Sequence, residues 1–142
     1  MATAVALVTL VFHAAAPPPI VGWASQYNPG RMQEVIHNRQ NGCCGRYSLE
    51  AGLPAVDGFV AVQERADIGR LLLLRPVGSE TWETFLAVDC GGYADGGYDW
   101  MRRNNILVEV DRQTAERWGT VGRLIEVEMR WVVREMHRRL MQ

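Results

Sequence analysis

The 142-residue chain lacks the motifs that most directly indicate a function. It has no Walker-type glycine loop, no HExxH and no paired CxxC, so a phosphate cradle or a structural zinc site has no motif support. It also lacks a basic excess, because 15 basic and 16 acidic residues leave a net charge of -1. That balance argues against an electrostatic nucleic-acid binder. We therefore expect no nucleic-acid partner, no metal and no cofactor.

Charge is missing altogether from residues 1–30, which contain no Lys, Arg, Asp or Glu. A short apolar run, three alanines and three prolines follow one another there, as at the end of a secretory signal peptide, although the basic n-region is absent. The run is shorter than the roughly 20 apolar residues of a membrane span. We expect residues 1–16 to be a signal peptide or truncated membrane anchor and residues 17–20 a Pro-rich linker. A buried N-terminal helix is the alternative.

This interpretation predicts a protein that is secreted or held at the cell envelope, with membrane contact only through its N-terminal segment. The three cysteines leave the redox compartment open. Cys43 and Cys44 are adjacent, and a bond between neighbours is strained, so at most one of them pairs with Cys90. Three reduced thiols are the alternative.

Strands and tight turns dominate the rest of the chain. A hydrophobic fraction of 48% and 14 glycines favour a single domain of short strands over a helical bundle. Short helices are predicted at residues 31–39 and 113–118, a loop at 91–105, and a C-terminal tail at 132–142. The second helix should end at Gly119, and the apolar run Leu71–Leu74 predicts a strand that is buried on both faces. Six strands are predicted, beginning near Val21, Gly58, Gly69, Glu80, Ile106 and Val121.

Two of these strands, the one that begins near Glu80 and the one that begins near Ile106, end in acidic residues. One strand runs into Asp89 and is followed by Gly91 and Gly92, which leave backbone room for a ligand. Two acidic groups on neighbouring strand ends can divide into a protonated acid and an ionised partner. Alternatively, Asp89 caps a turn and the acidic groups of the second strand form a solvated face.

Strict alternation predicts which side chains of these two strands share a face. It puts Asp89 on the face of Phe85 and Ala87. In the second strand it puts one face in the core and turns the other toward Asp89. The core face comprises Ile106, Val108 and Val110, and the other face comprises Leu107, Glu109 and Asp111.

Three segments, in this order, resemble the double-psi β-barrel of rare lipoprotein A, the expansins and the barwin-like proteins. Residues 22–27 match the family's opening Gly-x-Ala-Ser-x-Tyr. Residues 89–92 fall on its Asp-Arg-Gly-Pro and resemble the Asp-Thr-Gly-Gly of the related MltA-type lytic transglycosylases. Residues 109–111, with the helix after them, fall on its Asp-Leu-Ser segment. The resemblance implies an all-β fold with short helices, a six-stranded double-psi β-barrel over residues 21–131.

The resemblance also implies a groove for cell-wall polysaccharide, with peptidoglycan favoured. MltA-type enzymes place their catalytic acid at the position of Glu109 and a second Asp at the position of Asp89. One hypothesis is therefore an exported lytic transglycosylase-like enzyme in which Glu109 is the general acid and Asp89 its ionised partner. Its substrate-binding residues would be Tyr27, Tyr93, Trp100, Gly91 and Gly92.

The sequence departs from the family at one position that matters for activity. The His that rare lipoprotein A carries upstream is Gln63 here. The alternative is therefore a non-catalytic expansin-like or barwin-like glycan-binding module, or a structural assembly barrel. In either case we expect Asp89 and Glu109 to meet at the mouth of one groove, with Glu109 holding its proton to the higher pH.

Overall fold

The structure is a computed structural model and describes residues 17–41, 48–91 and 97–133. The signal segment predicted at 1–16 lies outside these ranges, as do Cys43, Cys44, Gly92 and Tyr93. The described part forms strands, three α-helices and one short 3-10 helix. In chain order these are β1 Ile20–Gln26, α1 Met32–Gln40, β2 Gly58–Val62, the 3-10 helix Arg65–Asp67, β3 Leu71–Pro76, β4 Glu83–Cys90, α2 Gly97–Arg103, β5 Ile106–Val110, α3 Arg112–Trp118 and β6 Ile125–Trp131.

The six strands close into a barrel in the order β1-β5-β2-β4-β3-β6. The β1–β5 and β2–β4 pairs are parallel and the other four pairs are antiparallel. The prediction of a six-stranded double-psi β-barrel is confirmed. Closure removes the open sheet edges on which strands from other chains could pair.

The barrel has an internal pseudo-two-fold symmetry. Exchanging β1, β2 and β3 with β4, β5 and β6 reproduces both the strand order and the direction of every pair. The axis passes between β2 and β5, where Ala61 lies opposite Glu109. Two backbone bonds occupy equivalent positions: Tyr27 N donates to Val110 O at 2.8 Å, and Gly91 N donates to Val62 O at 2.9 Å.

Apolar side chains form two layers, one inside the barrel and one outside it. The β3 run shows both, because Leu72 and Leu74 join the interior and Leu71 joins the outer layer, as expected for a strand buried on both faces. The outer layer packs under α1 through Met32 and Ile36. The interior cluster consists of Ala24, Val60, Val62, Leu72, Leu74, Phe85, Ala87, Leu107, Val108, Val110, Ala115, Val127 and Met129.

A register shift in β5 overturns one alternation prediction. Ile106 pairs with Trp23 and Val108 pairs with the next residue, Ala24, so Leu107 is an extra residue. Leu107 was predicted on the face turned away from the core, but it joins the interior cluster. A bulge breaks the period of two on which the prediction rested.

A second register shift moves Asp89. Ala87 pairs with Val60 and Asp89 pairs with Ala61, so Val88 is the extra residue. Val60 belongs to the interior, whereas Ala61, the next residue, points outward. The prediction that Asp89 shares a face with Phe85 and Ala87 is therefore wrong, and the bulge is what brings Asp89 to the outer surface.

The helices predicted at 31–39 and 113–118 are present as α1 and α3, and α3 ends as predicted at Gly119, whose φ is 70°. The loop predicted at 91–105 is wrong, because α2 occupies part of it. Met101 is buried on α2, and a helix of seven residues is too short to give a helical period that the sequence could reveal. No helix in the described ranges is long and apolar enough to cross a membrane.

Gly58 provides a test of this packing. A Cβ built there would lie 2.5 Å from Thr114 Oγ1 and 2.6 Å from Phe85 Cε1. We predict that Gly58→Ala lowers the free energy of unfolding by about 1–3 kcal/mol, as overpacking does. Gly52→Ala is the matched control, because nothing lies within 4 Å of its Cβ position. Denaturant unfolding measures both variants, and equal stabilities would contradict the packing.

Candidate functional site

Four neighbouring strands each contribute one residue to a single row. Ser25 on β1 pairs with Glu109 on β5, Glu109 pairs with Ala61 on β2, and Ala61 pairs with Asp89 on β4. Ala24, Val60, Val62, Val108 and Val110, the interior residues beside Ser25, Ala61 and Glu109, show that these three face outward. The bulge at Val88 turns Asp89 to the same side. Two strand spacings separate Asp89 from Glu109, which puts their Cα atoms about 10 Å apart.

The pseudo-two-fold axis relates the ends of this row to each other. Ser25 is equivalent to Asp89, and Ala61 is equivalent to Glu109. One half of the barrel therefore supplies two small side chains and the other half supplies two carboxylates. The two halves of the site therefore differ in side-chain chemistry, and also in backbone, because the extra residue lies on β5 in one parallel pair and on β4 in the other.

Asp89 is held by two partners. Arg39 Nη2 donates to its Oδ1 at 2.7 Å, and Tyr27 OH donates to its Oδ2 at 2.6 Å. The side chains of Arg39 and Asp89 are only 12% and 17% exposed. Arg39 follows Ile36 by three positions and Met32 by seven, so it lies on the face by which α1 packs on the barrel. The docking of α1 thus brings a counter-charge to Asp89.

No positively charged group is among the causes that shift the pKa of Glu109. Burial raises the pKa of its carboxyl group above the ordinary value, and the charge of Asp89 raises it further. The Ser25 hydroxyl opposes this shift, but it is a smaller influence than burial or the Asp89 charge. The folded state therefore holds the Glu109 proton to higher pH than the unfolded chain does.

Tyr27 and Cys90 complete the surroundings of Asp89. Burial, followed by the hydrogen bond to Asp89, raises the Tyr27 pKa, so the hydroxyl stays a neutral donor. Cys90 is buried, and burial raises the pKa of its thiol. Because Cys43 and Cys44 lie outside the described residues, the disulfide pairing stays a prediction.

The structure brings some of the predicted substrate-binding residues together and leaves others apart. Tyr27 contacts Asp89 directly, and Gly91 is buried beyond the end of β4. Trp100 is 45% exposed on α2, and no hydrogen bond or ring contact joins its side chain to the row. Since Gly92 and Tyr93 fall outside the described residues, a groove lined by Tyr27, Tyr93 and Trp100 stays a prediction.

Asp111 does not belong to the site, contrary to the alternation prediction. Its Oδ1 accepts from Thr114 N at 2.8 Å and caps α3, and its Oδ2 accepts from Phe59 N at 2.5 Å. It is 8% exposed. Both carboxylate oxygens are therefore used to tie α3 to β2, and the carboxylate cannot also face Asp89.

Sequence reasoning missed Arg39, Ser25 and Ala61. The helical spacing from Met32 was the available signal for Arg39, whereas the row itself needed the strand register. Gln63, at the family's His position, donates from Nε2 to Ile106 O at 2.6 Å and so braces β5. Nowhere in the described ranges do three His, Cys, Asp or Glu side chains gather as metal ligands would.

No protein-family model matches the sequence, and no curated protein matches it either. Among solved structures, the chain is similar to cerato-platanin 3 from M. perniciosa (MpCP3), with 16% sequence identity and a TM-score of 0.48. The match covers 84% of this chain and 99% of that one.

The Arg39–Asp89 pair can be tested by a double-mutant cycle. We predict that Arg39→Met lowers the free energy of unfolding by about 3 kcal/mol, because it leaves Asp89 largely buried without its counter-charge. Adding Asp89→Asn should recover about 1–3 kcal/mol of that loss.

Arg112→Met is the matched control for this cycle. Arg112 pairs with Glu116 at 2.8 Å, but the two side chains are 53% and 54% exposed, so its loss should cost less than about 0.5 kcal/mol. Additive effects of Arg39→Met and Asp89→Asn would show that the pair contributes no coupling.

Proposed function

We propose that this protein is a non-catalytic, expansin-like module that binds cell-wall polysaccharide outside the cell. The observation that carries the proposal is the salt bridge of Asp89 with Arg39 at 2.7 Å. Polysaccharide is the ligand class implied by the resemblance of residues 22–27, 89–92 and 109–111 to the double-psi barrel proteins. The uncharged first 30 residues support export.

The salt bridge weakens Asp89 as a catalytic partner. Glycosidic bond cleavage develops positive charge on the sugar ring, and the second carboxylate helps by facing that charge with its own negative charge. The Arg39 guanidinium already compensates the charge of Asp89, and Tyr27 occupies its other oxygen. Asp89 is better placed to organise the site than to stabilise an oxocarbenium-like transition state.

The remaining polar groups suit the recognition of a neutral sugar. A protonated Glu109 both donates and accepts hydrogen bonds, as sugar hydroxyls do. Ser25 Oγ lies opposite it in the register, with no hydrogen-bond partner in the described part of the chain. Burial of Glu109 strengthens each bond that it makes with a ligand. Peptidoglycan is the polymer that we favour.

A lytic transglycosylase-like enzyme is the second candidate, and the raised pKa of Glu109 favours it. A protonated Glu109 could give its proton to the glycosidic oxygen as the bond from that oxygen to the anomeric carbon breaks. The sugar's own hydroxyl could then attack the anomeric carbon and return its proton to the Glu109 carboxylate, so no covalent nucleophile on the protein would be needed. In this candidate one acid performs the chemistry, and Asp89 acts through its position.

Binding and cleavage are separated by one experiment on purified peptidoglycan, with cellulose and chitin in parallel. We predict that the wild-type protein sediments with polymer and releases no soluble fragment. Glu109→Gln should bind within about threefold of wild type, because the amide keeps a donor and an acceptor.

Glu126→Gln, on the exposed face of β6, is the matched control and should change nothing. Soluble products that form with wild type and disappear in Glu109→Gln would replace our proposal with the enzyme. If the wild-type protein binds none of the three polymers, both functions are rejected.

A further inference from the structure

A cleft of about 260 Å³ opens on the outer surface between the first turns of α1 and α3. It lies apart from the row of Ser25, Glu109, Ala61 and Asp89, none of which lines it. Its floor is formed by Phe59 and by the buried side chains of Met32 and Asp111. Its rim is formed by Gln33, Arg112, Gln113 and Glu116.

The floor is fixed in place before any ligand arrives. Asp111 accepts from Phe59 N and from Thr114 N, so β2 and α3 cannot separate without loss of a buried hydrogen bond. The Phe59 ring packs against the layer under α1 and is partly exposed. The cleft therefore offers a rigid floor in which the Phe59 ring supplies an apolar patch, as pre-formed ligand sites do.

The rim offers polar groups that are not already used. Gln33 and Gln113 are exposed and make no side-chain hydrogen bond in the described part of the chain. Each amide carries two donors and an acceptor. The two charged groups of the rim already have a partner, because Arg112 Nε donates to Glu116 Oε1 at 2.8 Å.

These groups select a ligand with an apolar face and neutral hydroxyls. An anion or a cation would have to break the Arg112–Glu116 pair to find a counter-charge, because Asp111 is already saturated by two backbone N–H groups. A neutral sugar ring can lay its C–H face on Phe59 and direct its hydroxyls to the two glutamine amides. The cleft volume suits one such ring.

The cleft and the carboxylate row lie on the same face of the barrel wall. Phe59 and Ala61 are alternate residues of β2, about 6.7 Å apart along the strand. The helix α1 borders both places, with Met32 at the cleft and Arg39 at Asp89. We propose that the cleft is a second sugar subsite, occupied by a ring of the same glycan chain whose other rings meet Glu109. This proposal rests on the proposed polysaccharide-binding function.

The test uses the full-length protein, titrated with cellohexaose and chitohexaose and followed by NMR and calorimetry. We predict that the backbone amides of Phe59, Gln33 and Gln113 shift together with those of Tyr27 and Glu109. The double variant Gln33→Ala with Gln113→Ala should bind the hexasaccharide about tenfold more weakly, through the loss of two hydrogen bonds. Gln113→Trp, which fills the cleft from its rim, should weaken binding at least as much.

Asn38→Ala is the matched control, because Asn38 is an exposed amide side chain on another face of α1. Its affinity should equal that of wild type. Hexasaccharide binding that shifts Tyr27 and Glu109 only, and that tolerates both cleft variants, would overturn the subsite and leave the proposed function standing. If wild type binds neither hexasaccharide and none of the polymers, both the subsite and the proposed function are overturned.

Discussion

The ion pair of Asp89 and Arg39 is the interaction on which the site depends. It joins a helix to a strand that the chain places 50 residues apart, and both charges are largely buried. A pair of this kind adds little net stability over an apolar contact, but removing one partner is costly. The pair instead fixes the geometry of the site. It requires α1 to pack at one position on the barrel, and it leaves the second oxygen of Asp89 to the Tyr27 hydroxyl.

The barrel explains why the carboxylates can differ so much in character. Its two halves repeat the same strand pairing, but the symmetry relates Asp89 to Ser25 and Glu109 to Ala61, so the two carboxylates stand at non-equivalent positions. Only Asp89 receives a salt bridge with Arg39, because α1 covers that side of the row. Glu109 is left with burial and with the Asp89 charge, and its pKa rises. The site therefore holds one carboxylate whose charge is compensated and one carboxyl group that keeps its proton to higher pH.

Much of the fold could be predicted from the sequence, because many of its features depend only on residues that are close together in the chain. The β3 run and the glycine after α3 are properties of a few consecutive residues, and both predictions are confirmed. The row could be predicted only in part, because bulges at Val88 and Leu107 carry no local signature and reverse the alternation. Asp111 was misplaced for a related reason: its role as an N-cap depends on where α3 begins. Tertiary contacts decided these positions.

The most direct test of this account is an NMR titration of the Glu109 side-chain carboxyl carbon in the wild-type protein and in Asp89→Asn. The account predicts a wild-type pKa above the ordinary glutamate value, because burial penalises the charged form. In Asp89→Asn the pKa should fall but stay above that value, since burial is the larger cause. A Glu109 that titrates at or below the ordinary value in the wild-type protein would contradict the division of roles between the two carboxylates.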